Sequence, residues 1–164
     1  MSRYVVMGVS GCGKSRIGEA FAARIGADFI DGDNLHPKAN IDKMRKGQPL
    51  DDSDRAPWLD SVADKLVHGG TVVACSALKR KYRDRISAVA GAPVMFLFLR
   101  GKRETLLARM AARPGHFMPI ALLDSQLAAL EPPADTELHL VTDIEQSVEQ
   151  IIQTFLAGLK EIKT

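Results

Sequence analysis

The run Gly8, Val9, Ser10, Gly11, Cys12, Gly13, Lys14 and Ser15 fits the phosphate-loop pattern G-x-x-x-x-G-K-[ST]. It constrains the fold more than any other stretch. An apolar run, Tyr4 to Met7, precedes it. A helical pattern follows, with Ile17, Ala20, Phe21 and Ile25 on one face. Strand, loop and helix in that order form a cradle for phosphate. Glycines leave main-chain amides free to point inward, and the helix N-terminus adds its positive end. In such a loop Lys14 reaches the β and γ phosphates and the Ser15 hydroxyl binds Mg²⁺. The competing reading is a glycine-rich turn that fits by chance, and the flanking strand and helix count against it.

Strand-like and helix-like segments alternate along the rest of the chain. Apolar strands are expected at about 27–30, 71–75, 94–99 and 138–141, separated by helical patterns. The segment 71–75 has no polar alternation, as expected of a strand covered on both faces. Asp54 is a plausible N-cap for the helix carrying Leu59, Val62 and Leu66, with Pro57 in its first turn. Leu123, Leu127 and Leu130 mark a later helix, and the last helix is expected to run from Ile144 through Leu159. Residues 113–119, Arg-Pro-Gly-His-Phe-Met-Pro, break the helical pattern and read as an exposed mobile loop. Alternation of this kind implies an α/β fold with a parallel sheet, right-handed crossovers and helices on both faces. Ligands then gather where strands end.

A chain of 164 residues suits one domain, taken as 1–164 with a lid region at about 109–130. The formal charge of +2 gives no general attraction to nucleic acid or membrane, and no apolar run is long enough for a membrane span. Cys12 and Cys75 have no metal-like spacing and read as reduced thiols, consistent with a cytoplasmic protein. Cys12 reads as an inert small residue, though its closeness to Lys14 leaves oxidation sensitivity open.

A phosphate loop does not say what is done with the nucleotide. Neither D-x-x-G nor [NT]-K-x-D occurs, which argues against a GTPase switch. No acid follows the third or fourth strand, so Asp31 and Asp33, after the second, are the candidate carboxylates. One can hold the metal shell while the other faces an acceptor hydroxyl; an Asp-Gly turn that merely ends the strand is the alternative. Lys79 and Arg83 share a helix face where an anionic acceptor could bind. Arg109 and Arg113 lead into the 113–119 loop and could close over the nucleotide. His36 is either a neighbour of the Pro37 helix start or a ligand for substrate oxygens.

Longer motifs are more specific. They include Asp31-Gly32-Asp33-Asn34-Leu35-His36-Pro37, Asp51-Asp52-Ser53-Asp54-Arg55-Ala56-Pro57-Trp58-Leu59, Cys75-Ser76-Ala77-Leu78-Lys79 and Leu122-Leu123-Asp124-Ser125-Gln126-Leu127. Together with the phosphate loop they resemble the gluconokinases, small phosphate-loop sugar-acid kinases related to shikimate kinases. The resemblance covers nearly the whole chain. It implies phosphoryl transfer from ATP to the 6-hydroxyl of D-gluconate with Mg²⁺, in a homodimer. It implies a five-stranded parallel sheet in the order 2-3-1-4-5, with a lid. It also implies Asp33 at the acceptor hydroxyl and Asp31 beside Ser15 at Mg²⁺. His36, Lys43, Arg55, Arg83 and Gln126 would lie at the gluconate, joined by Lys79 from the helix-face reading, and Arg109 and Arg113 at the nucleotide-side lid, with Arg113 and Lys14 acting on the migrating phosphoryl group. A shikimate kinase would carry a glycine triplet where Ala74-Cys75-Ser76-Ala77 stands, and the Asp-Gly-[FY]-Pro-Arg run of adenylate kinases is absent. A binding module without catalysis is the rival from another class; the intact Lys14, Ser15, Asp31 and Asp33 set argues against it.

Overall fold

A computed structural model describes residues 2–112 and 120–163. Among these, five parallel strands form one sheet: β1 (Arg3–Met7), β2 (Asp28–Asp31), β3 (Thr71–Ala74), β4 (Met95–Arg100) and β5 (His139–Asp143). The order is β2-β3-β1-β4-β5, as the family resemblance implies. Register is continuous across the centre: Val5 pairs with Val73 on one side and Phe96 on the other.

Successive side chains of a strand point to opposite faces, and each face has its own core. Tyr4, Val6, Leu97 and Leu99 pack with Phe21 of α1 (Lys14–Ile25) and Phe155 of α7 (Val148–Lys163). Val5, Met7, Phe96 and Phe98 pack with Trp58 and Leu66 of α3 (Asp52–Leu66) and Ile86 of α4 (Arg80–Ala90). Strands buried on both faces explain why their sequences are apolar throughout rather than alternating. The remaining helices are α2 (Lys38–Arg45), α5 (Arg103–Ala111) and α6 (Ile120–Ala129). None of the helices among the described residues is long and apolar enough to cross a membrane.

Some element boundaries differ from the sequence expectations. Asp51, not Asp54, caps α3. The Asp51 side chain accepts from the Asp54 N–H at 2.8 Å, and the Asp54 carboxylate accepts from the Asp51 N–H at 2.9 Å. This reciprocal pair is a capping box, with Asp54 in its third helical position. Pro57 consequently lies inside the helix, beyond its first turn. Strand β2 extends through Asp31, so this carboxylate belongs to the strand end itself. Ile144 is fully buried but precedes α7, because its N–H is taken by the Arg100 carbonyl at the end of β4. The 113–119 loop, and Arg113 with it, lies outside the described residues.

Candidate active site

The phosphate loop joins the carboxyl end of β1 to α1 at the centre of the sheet. Two close approaches require glycine. A Cβ on Gly8 would lie 2.7 Å from Cys12 Sγ and 2.9 Å from the Leu99 carbonyl. One on Gly32 would collide with the Ala74 carbonyl, so the turn after β2 can press against β3 only without a side chain there. Cys12 is buried, and burial raises its thiol pKa despite the nearby Lys14 charge. Burial likewise pushes Cys75 up to about 12. Both sulfurs therefore sit as protonated thiols in the core.

Two cavities flank the loop. The first, about 410 Å³, is lined by Ser10 and Lys14 from the loop, Asp33 and His36 after β2, and Ile41, Met44 and Arg45 from α2. Leu50 ahead of α3, Arg55 and Trp58 of α3, Ser76 and Leu78 after β3, and Gln126 of α6 also line it. The second, about 730 Å³, lies against Gly11, Gly13, Ser15, Arg109 and the start of α7 at Val148. Arg109 is held there by a hydrogen bond from Nη2 to the Ile144 carbonyl at 2.7 Å.

Asp31 and Asp33 diverge. The Ser15 hydroxyl donates to Asp31 Oδ2 at 2.9 Å, and Asp31 Oδ1 accepts from the Asp33 N–H at 3.0 Å, capping a 3-10 turn at Gly32–Leu35. That turn sends Asp33 into the first cavity. The Trp58 indole N–H donates to the Gly32 carbonyl at 2.8 Å and fixes the turn from below. The same indole stacks on His36, with ring centroids 4.1 Å apart and planes 15° from parallel. Burial is the main cause that lowers the His36 pKa to about 4; Asp33 opposes it and Arg55 reinforces it. His36 is thus a neutral imidazole at physiological pH.

The cations expected at an acidic substrate separate into two groups. Arg55 lines the cavity, its Nη1 donating to the Leu50 carbonyl at 2.6 Å and the Tyr82 hydroxyl at 3.1 Å. Gln126 also reaches the site, and its Oε1 accepts from the Ser10 N–H at 2.8 Å, which ties α6 to the phosphate loop. Lys43 instead pairs with Asp54 at 2.7 Å, and Lys79 stands 3.9 Å from Asp52 and 5.8 Å from the Tyr82 ring centre.

Arg83 departs furthest from expectation. It is 1% exposed, pairs with Glu137 at 2.7 Å, and donates to the Ala77 and Glu131 carbonyls. Its guanidinium is committed to protein acceptors, so Arg83 braces the loop after β3 instead of lining the cavity. Ala77 in that loop has φ 44°, a left-handed conformation that costs about 1–3 kcal/mol and survives only when the surroundings enforce it. Trp58 and Asn40 are site-shaping residues with no role assigned from sequence. Trp58 is the sole tryptophan of the chain, and Asn40 lies four residues after His36; both were visible signals.

The chain is similar to known proteins over most of its length. A family model described as an AAA domain matches residues 4–133. The thermosensitive gluconokinase of Escherichia coli (strain K12) is 49% identical over 166 residues, covering 94% of this chain and 87% of that protein. The gluconokinase of Gluconobacter oxydans (strain 621H) is 48% identical over 157 residues, covering 93% and 88%. The crystal structure of a gluconokinase from Sinorhizobium meliloti 1021 superimposes with a TM-score of 0.91 at 46% identity, covering 98% of this chain and 93% of that one.

Proposed function

The chain belongs to the gluconokinase family, and from that premise we propose that it transfers the γ-phosphoryl group of ATP to the 6-hydroxyl of D-gluconate, giving 6-phospho-D-gluconate and ADP. The observation that carries this reading is the make-up of the first cavity. Lys14 and Ser10 of the phosphate loop share it with Asp33, His36 and Arg55. A phosphate-binding cation, a carboxylate and a carboxylate-binding arginine in one crevice suit a polyhydroxy acid presented to a γ-phosphate.

Phosphoryl transfer needs positioning and charge neutralisation more than covalent help. Asp33 orients the acceptor hydroxyl and takes its proton as the new P–O bond forms. Lys14 offsets charge on the β and γ oxygens. Arg55, with Nη1 already engaged by protein oxygens, offers Nε and Nη2 to the substrate carboxylate. Gln126 and the main chain of Ser10 hold the wall between them. Arg109 supports the nucleotide from the second cavity, and the family resemblance assigns Arg113 a role on the migrating phosphoryl group.

The pairing of the Ser15 hydroxyl with the Asp31 carboxylate suits a hard divalent cation that takes its remaining ligands from phosphates and water. These two residues would hold Mg²⁺, which when bound screens the triphosphate charge. The family likeness also supports a homodimer in the cytoplasm. A coupled ADP-release assay across gluconate, shikimate, glucose and AMP tests the reading. Turnover with gluconate far above the other three is expected; turnover with shikimate equal to that with gluconate would overturn it.

A further inference from the structure

His36 has two ring nitrogens, and its surroundings decide which carries the proton. Asn40, itself 4% exposed, places Nδ2 2.9 Å from the Asp54 carbonyl and 3.2 Å from His36 Nδ1. An amide nitrogen only donates, so its contact with a carbonyl oxygen fixes the amide orientation. Turning the amide over would set Oδ1 against the Asp54 carbonyl. The second Nδ2 hydrogen then meets Nδ1, which must accept.

Three contacts hold this arrangement rigid. The capping box fixes Asp54, the Asp54 carbonyl fixes Asn40, and the Trp58 indole holds the His36 ring by stacking. Among the described residues His36 Nε2 has no hydrogen-bond partner, and His36 lines the first cavity beside Asp33. We propose that Asn40 is a positioning residue that locks His36 in the Nε2–H tautomer, so that the ring offers the cavity a hydrogen-bond donor for a substrate hydroxyl oxygen. The substrate half of this inference rests on the gluconokinase reading.

The lock gives the cavity a matched pair. Asp33 accepts and His36 donates, and both engage oxygens of a polyol, since a hydroxyl can serve either role. A site built to donate to a substrate oxygen discriminates strongly against an analogue without it, because its own polar group is then left unpaired.

Long-range proton–nitrogen correlation spectra of the ¹⁵N-labelled full chain, without ligand at pH 7, read the tautomer directly. Protonated Nε2 and unprotonated Nδ1 are expected; the Nδ1–H form, or averaging between the two as in free histidine, would overturn the proposal. In Asn40→Asp, whose carboxylate can only accept, the proton should move to Nδ1, and kcat/KM for gluconate should fall at least tenfold. An unchanged spectrum or an unchanged kcat/KM would count against the lock.

His36→Gln keeps an N–H donor near the Nε2 position, whereas His36→Leu keeps none. Retention of gluconate KM within a fewfold in the first, with a rise of tenfold or more in the second, supports the donor role. Equal KM values in the two would defeat it, even if Asn40→Asp fails to fold. The spectrum reads the tautomer whether or not gluconate is phosphorylated, and wild-type turnover decides that question separately.

Discussion

The Ser15 hydroxyl and the Asp31 carboxylate share a hydrogen bond of 2.9 Å that joins the last residue of the phosphate loop to the last residue of β2. Helix α1 and strand β2 thereby meet beside the phosphate loop. Asp31→Asn preserves an acceptor for Ser15 but removes the charge. The apparent Mg²⁺ requirement of turnover should rise 10–100-fold, the range found when groups around a metal are altered. Nucleotide binding in the presence of a chelator should change little. A Mg²⁺ titration of kcat/KM is the measurement.

Asp33→Asn should remove most turnover, by 10²–10⁴, the usual contribution of a positioned acid or base. ATP affinity should stay within a fewfold, because the main-chain cradle of the loop is untouched. Single-turnover kinetics and calorimetric titration with a non-hydrolysable ATP analogue separate the two effects.

The buried ion pair between Arg83 and Glu137 makes a different kind of prediction. Removing one partner leaves a charge buried with no counterpart, which costs about 3–5 kcal/mol. Glu137→Leu should lower the urea midpoint accordingly. The double variant Arg83→Met with Glu137→Leu should recover a large part of that loss, giving a strong coupling in a double-mutant cycle. Glu137→Leu protein that remains folded at low temperature should keep its gluconate KM within a fewfold.

His36 links folding to pH. Its folded pKa of about 4 lies below the ordinary 6.5, so the folded state binds fewer protons than the unfolded chain between those values. Its contribution to stability is complete above pH 6.5 and declines as pH falls toward 4, by up to about 1.4 kcal/mol per pH unit. Asp33 and Arg55 are the charges that act on it from the cavity. Asp52, at about 2, and Asp54 and Asp60, held below the usual 3.8, titrate beneath this window. His36→Gln should flatten the wild-type stability profile between pH 6.5 and 4 in denaturant melts.

The centre of the sheet was legible because β1, β3 and β4 are buried on both faces: a run such as Phe96-Leu97-Phe98-Leu99 has few other places to go. The phosphate loop was legible because its glycines, Lys14 and Ser15 act through local geometry. Strand order came with the family likeness, since periodicity carries no pairing information. What escaped the sequence was settled by distant partners. Arg83 looks like a substrate arginine until Glu137, 54 residues away, is seen against it. Trp58 looks like ordinary core until Gly32 and His36 meet its two sides. Asp51 and Asp54 both suit a helix start, and only their reciprocal bonds distinguish cap from third residue.

The phosphate loop stands between the two cavities, with Ser10 and Lys14 lining one and Gly11, Gly13 and Ser15 the other. On the proposed function, acceptor preference would reside in the side chains of the first cavity that lie outside the phosphate loop. Retuning toward a different polyol therefore calls for diversifying Ile41, Met44 and Arg45, which stand outside both hydrophobic layers, while leaving residues 8–15 alone.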